Sequence, residues 1–132
     1  MRNFPRITLV LCLLFMAFAL KAENKPDPKA NPESIVISSN ARFTVLTPEM
    51  IRIEYSDKGI FEDRATFTVL NRNLKVPEFR TSEDDTFFYI ETDKLHLKYR
   101  KGTNPRTLPA SASNLSITMN HNGREVLWYP GK

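Results

Sequence analysis

The sequence predicts an all-β protein, an antiparallel β-sandwich preceded by a cleavable signal peptide. Three observations carry that reading. Ile51, Ile53 and Tyr55 alternate strictly with Arg52, Glu54 and Ser56, and Leu95, Leu97 and Tyr99 alternate with Lys94, His96, Lys98 and Arg100. Period-two alternation is what a strand with one buried and one wet face requires. Turn chemistry recurs at short intervals, with Asn122-Gly123 the strongest hairpin signal. No stretch after the leader has helical period, and frequent short strands between turns argue a sandwich.

The chain has 132 residues, enough for one domain and a leader. Met1–Arg6 is basic, and Ile7 to Leu20 is an uninterrupted apolar run of 14 residues. Leu20-Lys21-Ala22 follows, with small Ala22 at the expected cleavage point. This is the layout of a secretory signal peptide over residues 1–22. The run is shorter than the roughly 20 residues a spanning helix needs, so no stable membrane span is expected once the leader is removed. The expected location is therefore secreted, periplasmic or extracellular. The single cysteine, Cys12, lies in the leader, so no disulfide and no cysteine-based site is expected in the mature part.

The formal charge of +4 is inflated by Arg2, Arg6 and Lys21 in an acid-free leader. Beyond Ala22, sixteen basic residues face fifteen acidic ones. A near-neutral mature chain gives no electrostatic case for nucleic acid. A chain of about 110 residues buries roughly two thirds of its unfolded surface, enough for a small sandwich.

The elements follow in order. Residues 23–33 are polar, carry three prolines and read as a flexible linker, with the folded domain over 34–132. Arg42 to Leu46 is a first strand, ended by Thr47-Pro48-Glu49, because proline gives a ladder no N–H. Ile51 to Tyr55 is the second, closed by Ser56-Asp57-Lys58-Gly59. Phe67 and Val69 alternate with Thr66 and Thr68 and predict a third. Phe79 to Thr81 is a short strand, and Ser82-Glu83-Asp84-Asp85 a turn. Phe87 to Glu91 carries aromatics on both faces and reads as buried on both sides or covered by a later domain. Leu95 to Arg100 presents Leu95, Leu97 and Tyr99 inward. Lys101 to Ser113 is a long loop. Leu115 to Met119 and Glu125 to Tyr129 form the closing hairpin.

The letters carry more than the pattern. Phe43 to Ser56 reads FTVLTPEMIRIEYS, followed by Gly59-x-Phe61-Glu62-Asp63 and a run ending Val69-Leu70-Asn71-Arg72. Thr92-Asp93-Lys94-Leu95, Asn114-Leu115-Ser116 and Trp128-Tyr129-Pro130-Gly131 come later in the same order. This ordered set resembles the amino-terminal, galactose-mutarotase-like domain of glycoside hydrolase family 31, mostly α-glucosidases and α-xylosidases. The resemblance covers roughly Ser34 to Lys132. It implies a β-sandwich that packs on a (β/α)8 barrel and lends a loop to its rim. The barrel would be this domain's partner in cis, and it would carry the catalytic acids. The chain reads as an incomplete copy ending before that barrel, inactive alone. No catalytic, cofactor or metal residue is carried onto it, and no cofactor is expected. An oligosaccharide is a second candidate partner. The alternatives are a free-standing carbohydrate-binding module and a structural or adhesin-like secreted β-domain.

Candidate sites each have a plainer reading. Glu62-Asp63 offers two adjacent acids, but neighbouring strand positions face opposite ways, poor geometry for paired acid–base work. A turn acid paired with a nearby arginine is the plainer account. Ser82-Glu83-Asp84-Asp85 lacks the alternation of a calcium loop and reads as a solvated turn. His96 and His121 have no ligand at metal spacing. Phe88, Tyr89, Trp128 and Tyr129 can stack on a sugar face or pack in a core. Asn114-Leu115-Ser116 fits the N-glycosylation pattern.

Amino-terminal sequencing of secreted protein should begin at Glu23. A product that keeps Met1 in the membrane fraction would show that the leader is an anchor.

Overall fold

The computed structural model describes residues 26–106 and 111–132. The expected signal peptide lies outside the described residues. Among those described, no helix is long and apolar enough to cross a membrane. The fold is all-β. A short 3-10 turn, Pro32–Ser34, is followed by eight strands: β1 Ile35–Ser38, β2 Ala41–Thr47, β3 Met50–Tyr55, β4 Arg80–Glu83, β5 Phe87–Glu91, β6 Leu95–Arg100, β7 Leu115–His121 and β8 Arg124–Trp128. They form two antiparallel sheets, one of order β1-β2-β3 and one of order β4-β5-β6-β7-β8. Both are meanders, so each strand pairs with its neighbours in sequence.

One apolar cluster draws on both sheets. Ala41, Phe43 and Val45 of β2 meet Phe88 and Ile90 of β5, Leu95, Leu97 and Tyr99 of β6, and Leu115 and Ile117 of β7. Phe43 sits at the centre, its ring centroid 5.2 Å from Tyr99, edge-on, and 5.7 Å from Phe88. Offset and edge contacts of this kind suit the ring quadrupoles and add to the area buried. Away from the cluster, the Thr92 hydroxyl donates to the Pro48 carbonyl at 2.7 Å, tying a turn of the larger sheet to one of the smaller. The inward set expected for β6 is the observed one: Leu95, Leu97 and Tyr99 are buried and His96 is exposed. The Tyr99 hydroxyl donates to the Thr103 carbonyl at 2.7 Å, so its one polar atom is not stranded in the core.

The Asn-Gly hairpin forms as expected. His121 pairs with Arg124 across a two-residue loop, and both Asn122 and Gly123 have positive φ, 52° and 76°. That backbone matches the twist of the flanking strands.

Four expectations change. Thr66–Val69 is not a strand. The Thr66 N–H donates to the Val69 carbonyl, and the Val69 N–H donates back to the Thr66 hydroxyl, closing a tight turn with Phe67 wholly exposed. A threonine hydroxyl that serves its own loop competes with a ladder, and no strand lies alongside to offer one. The strand the alternation missed is β1, whose Ile35, Val36 and Ile37 pair with Thr44, Phe43 and Arg42 of β2 in that order. Ser82 and Glu83 are strand residues in β4, leaving Asp84 and Asp85 in the turn. Finally, the second half of the expected linker is tied down. The Asp27 carbonyl accepts from Arg72 N–H at 2.7 Å, its carboxylate accepts from Asn73 at 3.0 Å, and Ala30 is only 8% exposed.

The aromatic strand β5 is not buried on both sides. Phe88 and Ile90 enter the core, while Phe87 and Tyr89 are half-buried on the outer face. There Lys98 Nζ lies 3.9 Å from the Phe87 centroid, which gives that ring a polar cover.

Leu97→Ala should cost about 2–5 kcal/mol, as core leucine truncations do. His96→Ala should change stability by no more than about 0.5 kcal/mol. Urea titrations that gave equal losses would mean the faces of β6 are reversed.

Candidate functional site

Two groupings of polar side chains stand out, and they differ in what they can do. The first lies on the face of the three-stranded sheet opposite the core. Arg42 on β2 sits across from Glu54 on β3, and Thr44 across from Arg52. The loop between β3 and β4 folds over this face. Arg42 Nε donates to Glu54 at 2.7 Å, Nη1 donates to Asp63 at 2.6 Å and Nη2 donates to the Glu62 carbonyl at 3.0 Å. Arg52 makes an ion pair with the same Glu54 carboxylate, whose other oxygen accepts from the Glu62 N–H. Arg72, buried to 2% exposure, donates to the carbonyls of Glu62 and Arg64. The Arg42 guanidinium lies 4.9 Å from the Phe61 ring centroid.

Burial pushes Arg42 down, and its bonds to Glu54 and Asp63 more than offset this, holding it above the usual arginine value. Burial lowers Arg52, with nearby Arg72 and Arg42 adding to the effect against Glu54. Two guanidiniums, Arg42 and Arg52, thus share the Glu54 carboxylate, and Arg72 bonds to the backbone of the loop beside them. Every hydrogen-bonding edge of Arg42 is engaged by the protein itself. The grouping is a staple that fixes a long loop to a sheet and leaves no free carboxylate for proton transfer.

Glu62 and Asp63 fall here, and the plainer reading of them holds. Asp63 pairs with Arg42. The Glu62 side chain grips Arg64 through three contacts of 2.6–3.0 Å, which bring its pKa to about 2. Both acids are spent on arginines.

The second grouping lies on the outer face of the five-stranded sheet. Arg80, Glu91 and His96 form one row across β4, β5 and β6, and Ser82, Tyr89 and Lys98 form the next. Asp84 holds this corner. One carboxylate oxygen accepts from the Phe87 and Thr86 N–H groups at 2.7 and 2.8 Å, and the other accepts from the Tyr89 hydroxyl at 2.9 Å. The Phe87 N–H, then the Thr86 N–H and the Tyr89 hydroxyl, hold Asp84 below the usual aspartate range. A depressed carboxylate stabilises the fold fully at neutral pH, and that support fades as pH falls through its lowered value. The same bond to Asp84 raises the Tyr89 phenol.

The remaining residues singled out in the sequence are dispersed. Phe88 is core. His121, expected in the hairpin turn, is instead the last residue of β7, paired with Arg124 and three residues along from Thr118, the partner of His96. Trp128 is 40% exposed on the edge strand β8, and Tyr129 is half-buried, with Lys132 Nζ 5.8 Å from its ring centroid. Asn114 is half-buried. Among the described residues, no three His, Cys, Asp or Glu side chains gather as a metal site would need. The pattern of cross-strand partners, which makes Tyr89 and Glu91 neighbours of Arg80 and His96, depends on pairing register and could not be read from any one strand.

No protein-family model matches the chain, and no curated protein matches it.

Glu54→Ala should destabilise the protein by about 3–5 kcal/mol, because it strands buried Arg42 and Arg52 without their shared counter-charge. Glu62→Ala, which removes a half-buried carboxylate whose partner Arg64 is itself exposed, should shift the urea midpoint far less. Similar midpoints for the two would show that the staple contributes little.

Proposed function

We propose that this chain is the amino-terminal β-sandwich of a secreted glycoside hydrolase family 31 enzyme, a non-catalytic domain that packs on a barrel carried elsewhere. The parent activity would be hydrolysis of terminal α-linked glucosyl or xylosyl residues. One observation supports the reading above others. The scattered letters that carry the resemblance meet in space: Arg52 and Glu54 from Phe43–Ser56, Glu62 from the Phe-Glu-Asp stretch and Arg72 from the Asn-Arg ending join in one network, with Arg42, just outside the first motif, bonded to Glu54 and Asp63. The quoted motifs are thus parts of one structural device. The all-β architecture and the core shared by two antiparallel sheets are compatible with a sandwich.

The acids of the arginine network and Asp84 are not placed for glycosidic catalysis. Glycosidic cleavage uses a proton donor and an opposed carboxylate held across a pocket, about 5–5.5 Å apart in retaining enzymes. Glu54, Glu62 and Asp63 are each committed to arginine, and Asp84 to backbone N–H groups and Tyr89. A free-standing carbohydrate-binding module is the second reading, favoured by the outward-facing Tyr89 and its polar neighbours. In either case secretion would follow from the leader.

The DNA beyond the Lys132 codon should continue, in frame or after one frameshift, into a barrel with two separated catalytic aspartates. A stop followed by an unrelated gene would overturn the family 31 reading. The purified chain should turn over neither an α-glucoside nor an α-xyloside. Turnover that survives repurification and is abolished by one Asp or Glu substitution would refute the non-catalytic assignment.

A further inference from the structure

The outer face of β4, β5 and β6 has a layout suited to one class of ligand. Tyr89 stands out of the sheet with its hydroxyl fixed by Asp84 and its ring 5.7 Å from the His96 ring, tilted by 37°. Two residues along the same strand, so about 6.8 Å away on the same face, Glu91 stands between Arg80 and His96. Its contacts to them are long, 3.5 Å to Arg80 and 3.8 Å to His96. Those separations exceed good hydrogen-bond lengths, so the carboxylate keeps lone pairs to offer.

Open clefts converge on Glu91. One of about 460 Å³ runs past Arg80, Ser82, Tyr89 and His96. A second of about 980 Å³ shares Arg80 and Glu91 and continues past Phe79, Glu78, Glu33 and Asp93. The two adjoin at Arg80 and Glu91 as one trough, with Tyr89 lining the first part and Phe79, which also packs against the core, the second. Four carboxylates line it, Glu33, Glu78, Glu91 and Asp93, against the single guanidinium of Arg80. That balance repels polyanions such as nucleic acid or polyuronate. Charged groups on both sides of one tyrosine do not suit an apolar ligand. A trough with one fixed aromatic ring and a loosely engaged carboxylate suits a ligand with weakly polar C–H faces and many hydroxyl donors.

We propose that this trough binds a neutral saccharide chain, one sugar face lying on the Tyr89 ring and its hydroxyls bonding to Glu91, Arg80 and His96. The carboxylate and guanidinium give charge-assisted bonds to neighbouring hydroxyls, and the ring fixes which face of the sugar is presented. The site needs no second domain and no catalytic group, so it does not rest on the family 31 reading; it rests on the second reading, a carbohydrate-binding module, and gives that reading its contacts and ligand class. Failure of the site leaves the family 31 reading standing, and failure of the family 31 reading leaves the site.

The test is an amide-shift titration of the full 132-residue chain with maltohexaose and, separately, cellohexaose. A neutral hexasaccharide should move the amides of Arg80, Tyr89, Glu91 and His96 and leave those of β8 unmoved. Tyr89→Ala should weaken binding about tenfold or more, and Trp128→Ala should not change it. If the unliganded spectrum shows that Tyr89→Ala disturbs the fold, the exposed substitution Arg80→Ala and the isosteric Glu91→Gln decide, and each should weaken binding. Glucosamine and galacturonate oligomers serve as cationic and anionic controls. Absence of shifts with both neutral hexasaccharides, shifts centred elsewhere, or binding of the glucosamine oligomer alone would overturn the proposal.

Discussion

Strand β2 is covered on both faces, and the two covers are chemically opposite. Toward the larger sheet it presents Ala41, Phe43 and Val45 to an apolar cluster. On its other side Arg42 and Thr44 are buried under a loop that spans Ser56 to Phe79. A strand buried on two sides must satisfy each without compromising the other. Here the apolar face gains from removing area from water, while the polar face is tolerable only because Arg42 finds Glu54, Asp63 and the Glu62 carbonyl. Neither face would remain closed without the other: the core holds β2 against the five-stranded sheet, and the arginines hold a loop with no strand of its own against β2.

This division of labour explains where chemistry is available. The acids near the arginine network are consumed in holding the loop. Near β4, β5 and β6 the acids divide: Asp84 is taken by two N–H groups and a phenol, while Glu91 makes only long contacts to Arg80 and His96. A sheet carrying a fixed aromatic and loosely engaged charged groups can offer a ring face and hydrogen bonds to a ligand.

The sequence made the strands with one wet face legible. Ile51–Tyr55 and Leu95–Arg100 announce themselves by alternation, and the Asn122-Gly123 turn announces its hairpin. It failed where a pattern and its context disagree. Thr66-Phe67-Thr68-Val69 has strand alternation but no neighbour to pair with, and its threonine closes a turn instead. Ile35–Ser38 has a partner but too short a run to display a period. Asp27 and Ala30 sit in a proline-rich stretch that looks unburied, and only the three-dimensional position of Arg72 gives them something to hold. The Tyr89 trough was half legible. The aromatic strand was visible, yet which ring faces outward, and which charges flank it, depends on the register between β4, β5 and β6. Pairing between strands is information no single strand contains.

The sequential order of the two meanders has a consequence for the newborn chain. Domains emerge amino-terminus first during synthesis. The three-stranded sheet is therefore complete while Phe43 and Val45 still have nothing to pack on, because Phe88, Leu97 and Tyr99 have yet to appear. Each hairpin closes locally and quickly, whereas joining the sheets must wait for β5 and β6 and bridge the long loop between β3 and β4. During that interval the apolar side of β2 faces water beside unpaired sheet edges, a state open to association with other chains. A holding factor that shields extended apolar strands would act in that interval, before any of the finished surface exists.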